Sequence, residues 1–365
     1  MTNDDQRGTT ARRSLLKATL GLGAIAAGGL TPLVVKAGTA PSRIDVHAHL
    51  IPDFYRQALT DYGVADDGGI PLPSWSPAAA VNFMDKFGIQ TQVVSVSDPG
   101  FAFLPDRSAR EQMARQINDY IRDGLINVSP ASQLYRRFGG FASLPLGNPD
   151  DASEVAAACA EATRAIQTLG LDGIGIFSSY NGVYLGDPRL EPLMHTLNEL
   201  GAYVFIHPVS PPVRPDLSMA KFVLDFPFET TRAVTNMLYK GIFLRYPFIR
   251  WQAAHAGGTI PFLSYRSALL ALNLNPRSSS YSRLFYDTAL SAAPPAMAAV
   301  RKVTDVSHIL LGTDYPYAGI VYSLKLPGDP NSELNDSFNA TERLLVDRGN
   351  ALAQLPRLAK RLGIG

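Results

Sequence analysis

The stretch Arg43–Leu50, RIDVHAHL, ends a short apolar run in two histidines, His47 and His49, separated by one residue. Along a strand, side chains two apart project to the same side. Both imidazoles therefore reach one metal ion from the end of such a strand, a donor pair that four- or five-coordinate zinc accepts. H-x-H alone recurs in strands and loops. Its weight here comes from matching groups at the ends of three later apolar runs: His207 in YVFIHP, His255 in WQAAHAGG and Asp314 in ILLGTDYP. Four of the six histidines fall in these places. The other two read as ordinary residues, His195 mid-helix in PLMHTLNEL and His308 just ahead of the last run.

Working outward, eight short runs rich in β-branched residues alternate with segments of helical period: 44–49, 91–97, 138–146, 173–178, 202–207, 249–255, 284–290 and 309–314. Helices are predicted over 77–87, 108–125, 151–169, 188–200, 230–246, 260–272 and 294–303, with a final pair from about 337. Ser76 before Pro77 and Asp187 before Pro188 are start signals. Eightfold strand–helix alternation predicts an α/β fold, a (β/α)8 TIM barrel of the metal-dependent hydrolase type. An open doubly wound sheet is disfavoured because no G-x-G-x-x-G follows the first strand. The histidines and Asp314 all sit at C-terminal strand ends, and only closure brings the eighth strand beside the first. Three long connections, 53–77, 98–107 and 209–229, carry Trp75, Phe101, Phe103, Phe222, Phe226 and Phe228. As loops over the mouth they would wall a pocket for an aromatic or flat unsaturated substrate, with Trp75 and Phe228 taken as substrate-binding.

The 365-residue chain is 46% hydrophobic with a net charge of +1, and its pI is about 7.8. That balance carries no footprint for nucleic acid or acidic lipid. The lone cysteine, Cys159 in AAACAEA, reads as a small core residue. Residues 1–40 read as a twin-arginine signal peptide: Arg12-Arg13-Ser14-Leu15-Leu16-Lys17, then a weakly apolar Gly/Ala-rich run and small residues near Ala37–Ala40. Residues 41–365 are then one barrel domain. Four glycines across the run disfavour a lasting membrane anchor, so the expectation is a periplasmic or secreted protein, exported folded and not stably inserted in the membrane.

His47, His49, His207 and Asp314 together offer three nitrogens and one carboxylate, a set suited to Zn²⁺, with Mn²⁺ and Fe²⁺ as alternatives. His255 is a fifth group at the same mouth. The fourth run, GIGIFSS, has no lysine or acid to bridge a second metal, so a single cation with His255 as acid/base is expected. Gly257 and Gly258 are read as allowing close approach of the backbone to substrate.

DVHAHLIP, GVYLGDPRLEPL, FIHPVSPP, FPFETTRAV, AHAGGTIPFLSYR and LLGTDYPY occur in an order and spacing that resemble the amidohydrolase-related decarboxylases. This group includes aminocarboxymuconate semialdehyde, γ-resorcylate and 6-methylsalicylate decarboxylases. The resemblance spans nearly all of the chain after Arg43. It implies a carboxy-lyase with no organic cofactor, His47, His49, His207 and Asp314 as ligands, and His255 as acid/base. It also implies a homodimer in which Arg266 reaches the neighbouring subunit's substrate carboxylate. One departure is Ala78–Asn82, standing where the muconate enzyme has a substrate-binding arginine; this favours a less charged, more aromatic acid. Two routes fit: water activated by the cation and His255 adds before CO₂ leaves, or a proton from Asp314 or His255 goes directly to the ring carbon. Asp287 and Glu229 are candidates for orienting the ligands. The expected function is non-oxidative decarboxylation of a small aromatic or unsaturated carboxylic acid, the alternative being hydrolysis of a lactone, ester or amide.

Overall fold

The computed structural model describes residues 42–215, 217–270, 280–317, 331 and 333–364, all within one compact unit spanning Thr39–Gly365. The leader read over residues 1–40 lies outside them.

Eight parallel strands run in chain order around one sheet: β1 Arg43–His49, β2 Ile89–Ser95, β3 Phe138–Ser143, β4 Gly173–Phe177, β5 Tyr203–His207, β6 Arg250–Ala253, β7 Phe285–Asp287 and β8 Ile309–Leu310. The register pairs His49 with Ser95, Phe177 with His207 and Asp287 with Leu310. Closure is made by the segment after β8. Val46 N–H donates to the Leu311 carbonyl (2.9 Å), Asp314 N–H to the His47 carbonyl (2.7 Å) and His49 N–H to the Tyr315 carbonyl (2.6 Å), and Ala48 pairs in parallel with Tyr315. The fold is the (β/α)8 barrel expected from the alternation.

β1 is buried along nearly its whole length, as parallel barrel strands covered on both sides must be. Inside, Phe141, Tyr203 and Phe205 pack ring against ring at 5.7 Å, and Phe205 lies 4.8 Å from the His47 ring. An aromatic floor thus supports the histidines from below. Leu355 and Leu358, near the C-terminus, join the same apolar cluster as Ile44, Val46 and Leu310.

Several boundaries differ from the sequence reading. β6, β7 and β8 stop short, so His255 and Asp314 stand beyond their strands, in backbone with φ 55° and 60°. The connection 53–77 contains a helix, Asp53–Asp61, and an antiparallel ribbon pairing Asp66–Asp67 with Ile70–Pro71. The helix predicted from Thr230 begins at Lys221 and carries Pro227 inside it. Proline in mid-helix removes one hydrogen bond, but Phe226 and Ala233 are buried on that helix, and their packing outweighs the loss. Among the described residues no helix is long and apolar enough to cross a membrane.

Gly258 (φ 63°, ψ −122°) passes so close to the helix at Pro227 that a Cβ would lie 2.1 Å from the Pro227 carbonyl oxygen. Gly257 faces the Tyr286 ring in the same way. Gly258 thus lets the backbone pass the helix at Pro227, and Gly257 lets it pass the Tyr286 ring on β7. Gly170 is also at positive φ, with nothing near it. Gly170→Ala is expected to cost about 1 kcal/mol, the backbone term alone, and Gly258→Ala about 3 kcal/mol or more, because a clash is added to strain. Urea unfolding of the two variants measures the difference.

Candidate metal centre and active-site cavity

His47 and His49 leave β1 on one side, with their Nε2 atoms 3.2 Å apart. Asp314 Oδ1 lies 3.0 Å from His49 Nε2 and 3.4 Å from His47 Nε2. Two ligands at 2.0–2.1 Å from a tetrahedral cation stand about 3.3 Å from each other; these three separations cluster around that value. His207, from the end of β5, places its ring 4.7 Å from His49 and 5.2 Å from His47. The four groups offer ligand atoms that all lie within 4.8 Å of one another. The donor set fits a divalent cation of the zinc or manganese kind.

The electrostatics agree. Burial lowers the His49 and His207 pKa values, His207 well below the ordinary range with His49 and His47 adding to the effect. Neutral imidazole is the form that ligates. Burial also works against charging His47, but Asp287 and Asp314 outweigh it and push that ring up to about 10. Burial opposes ionisation of Asp314 too, yet hydrogen bonds with His47 and His49 hold its carboxyl well below the usual range. One positive charge is thus favoured between two carboxylates, and a bound cation would meet the same need.

Behind the ligands stands a layer only partly visible from the sequence. Asp287 Oδ2 lies 3.1 Å from His47 Nδ1 and accepts from Gln252 Nε2 at 2.8 Å. Its Oδ1 accepts from the His255 N–H at 3.0 Å. His255 is thereby held in left-handed backbone, where a non-glycine residue is strained. Its Nδ1 lies 3.0 Å from the Ala289 carbonyl; a carbonyl only accepts, so Nδ1 carries the proton and Nε2 is left free. Asp45 ties the seam together from inside the opening stretch, accepting from Thr313 Oγ1 (2.6 Å) and from Gln92 Nε2 (3.0 Å). The sequence reading passed over Asp45, although its alternation with His47 and His49 on one strand face was the available signal. Glu229 is buried but pairs with Tyr184 and Arg232, so its role is in the fold and not beside the ligands.

A cavity of about 280 Å³ opens above the cluster, and His207, His255 and Asp314 line it together with Phe222, Phe226 and Tyr317. Two of the six loop aromatics therefore wall it. Phe101 and Phe103 line a neighbouring cleft. Trp75 is buried against Tyr120, with ring centroids 6.5 Å apart, and does not border the cavity. Phe228 points outward, 37% exposed, because helical geometry turns it away from Phe226 two residues earlier. Arg266 is exposed on the helix Ile260–Leu270, away from the cavity. His195 is exposed near Glu199, and His308 stacks on Phe285, so both are ordinary residues as read.

A closed (β/α)8 barrel with three histidines and an aspartate at its C-terminal mouth is the build of a barrel enzyme whose mouth could hold a cation. The chain belongs to the amidohydrolase family, whose model, described as Amidohydrolase, matches residues 44–324. It is 35% identical over 299 residues to decarboxylase yanB of Aspergillus niger, covering 76% of this chain and 78% of that protein. It is 32% identical over 338 residues to 6-methylsalicylic acid decarboxylase of Penicillium expansum, covering 87% and 97%. Among solved structures it resembles the 5-carboxyvanillate decarboxylase of Novosphingobium aromaticivorans, complexed with manganese and 4-hydroxy-3-methoxy-5-nitrobenzoic acid. That match has a TM-score of 0.68 at 22% identity and covers 86% of this chain and 96% of the other.

If Asp287 orients His47, Asp287→Asn is expected to weaken divalent-cation binding about 10–100-fold, whereas Glu229→Gln leaves it unchanged. Competition against a chromogenic chelator reads both.

Proposed function

We propose that this enzyme is a metal-dependent carboxy-lyase that removes the carboxyl group of a small aromatic acid without oxidation. The observation that carries this reading is one largely apolar cavity, sized for a single substituted ring, lined by His255 together with His207 and Asp314 of the four-residue cluster. The named activities of the relatives support it. His47, His49, His207 and Asp314 would hold Zn²⁺, with Mn²⁺ and Fe²⁺ as alternatives. When bound, the cation supplies positive charge for the substrate carboxylate and for the electrons left behind as CO₂ departs.

This chain's residues do the rest. Phe222 and Phe226 exclude water and stack on the ring. His255, already protonated at Nδ1, takes a proton from solvent on Nε2 and delivers it to the ring carbon as the bond to the carboxyl carbon breaks; those bonding electrons end in the new C–H bond, and one solvent proton is consumed per CO₂. Asp314 is the poorer acid because its neighbours hold it ionised. We further propose that the protein is a homodimer. Arg266 is exposed beside Phe262 and Tyr265, 85% and 57% exposed on the same helix, a face suited to a second copy. Residues 1–40 would then act as a twin-arginine leader that exports the folded domain 41–365 to the periplasm or beyond.

Metal-loaded protein is expected to release CO₂ from 2-hydroxybenzoates such as 6-methylsalicylate, with His255→Asn lowering kcat about 10²–10⁴-fold while cation content stays constant. Release of acid from lactones with no CO₂ from any benzoate would favour the hydrolase alternative. For export, replacing Arg12 and Arg13 with lysine is expected to retain the protein in the cytoplasm, as judged by cell fractionation.

A further inference from the structure

One buried acid at the cavity has no part in the chemistry above. Asp67 belongs to the ribbon pairing Asp66–Asp67 with Ile70–Pro71, is 3% exposed and lines the same cavity as His207, His255 and Asp314. Its Oδ2 has no hydrogen-bond partner. A buried polar atom left in that state is costly unless something else satisfies it.

The ribbon cannot easily swing away. Its turn residues Gly68 and Gly69 have φ 56° and 88°; a Cβ on Gly68 would lie 2.6 Å from the Phe226 ring, and one on Gly69 2.9 Å from Ala220 Cα. Phe222 N–H donates to the Gly68 carbonyl at 3.0 Å, and Asp66 Oδ1 accepts from Gly69 N–H at 2.9 Å. The start of the Lys221–Tyr239 helix thus clamps the turn and aims Asp67 inward.

Its surroundings define what it can bind. No arginine or lysine pairs with Asp67 among the described residues. Burial raises its pKa well above the carboxylate range and the Asp98 carboxyl adds to this, against the hydroxyls of Ser97 and Tyr317. Lys221 bears on Asp98 instead. A second carboxylate on a substrate would meet acidic groups here with no counter-charge, whereas a hydroxyl both donates to and accepts from a carboxyl group.

We propose that Asp67 is a specificity-determining residue: its free Oδ2 binds a ring hydroxyl of the substrate other than any beside the carboxylate that the histidine–aspartate cluster receives. This assignment rests on the aromatic-acid reading of the same cavity. It places the substrate among hydroxylated benzoates with a single carboxyl group.

The test is equilibrium binding by calorimetry to full-length, metal-loaded protein. Salicylate is compared with 2,3-, 2,4- and 2,5-dihydroxybenzoate. Wild type is expected to bind at least one dihydroxy acid about tenfold or more tightly than salicylate, a modest instance of hydroxyl recognition by a buried polar group. Asp67→Leu is expected to erase that preference while leaving the salicylate Kd within about threefold. Asp67→Ala carries the same expectation should the leucine variant not fold, as judged by its melting transition. A wild type with no preference, or a preference that survives both substitutions, overturns the assignment of Asp67 alone. Failure of wild type to bind any benzoate overturns the aromatic-acid reading, and this assignment with it.

Discussion

Asp45 is the group on which the site depends. Its carboxylate is fully buried, and burial lifts its pKa to about 6 against the opposing pull of Thr313, His47 and Gln92. Both oxygens are saturated: Oδ1 accepts from the His47 and Thr313 N–H groups at 3.1 and 3.0 Å, while Oδ2 accepts from Gln92 and from the Thr313 hydroxyl. A buried acid so satisfied joins β1, β2 and the segment following β8 at one point. That seam works with the Asp314 N–H bond to the His47 carbonyl to stand Asp314 beside His47 and His49. The low-dielectric setting that makes an unpaired carboxylate costly also makes a fully paired one a strong constraint on geometry.

From this seam the site divides its labour by backbone type. The paired histidines come from regular strand, where alternation alone aims them. His255 and Asp314 stand in left-handed turns just past their strands, held by hydrogen bonds that their N–H groups donate to Asp287 Oδ1 and to the His47 carbonyl. Strain of this kind persists only where neighbouring interactions over-determine it, and it gathers at functional positions. Asp287 serves both halves, reaching the His47 ring with one oxygen and the His255 amide with the other. His47 and His255 are therefore oriented by one shared carboxylate.

Much of this was legible in the chain before folding. The eight apolar runs lie close to the eight strands because parallel barrel strands are buried on both faces and read as apolar stretches. The cluster of His47, His49, His207 and Asp314, with His255 beside it, was visible because each stands at or just past the end of such a run. What escaped the reading did so for local reasons. The short β6–β8 looked longer because their apolar runs continue into buried turns. The helix beginning at Lys221 was hidden by Pro227, whose backbone cost is outweighed by packing that no local propensity expresses. Trp75 and Phe228 resembled pocket walls by composition alone; whether an aromatic faces a cavity or solvent depends on helix phase and loop path.

The sequence by itself determined the fold class and the donor set, since periodicity and residue type are local properties that do not wait on tertiary contacts. Only the tertiary structure decided which aromatics wall the cavity, that Asp287 and not Glu229 stands behind the histidine–aspartate cluster, and that the Gly68-Gly69 turn presses Asp67 into the cavity. These outcomes turn on separations of a few ångströms between residues far apart in the chain. Such separations are set by closure of the barrel and the packing of its loops.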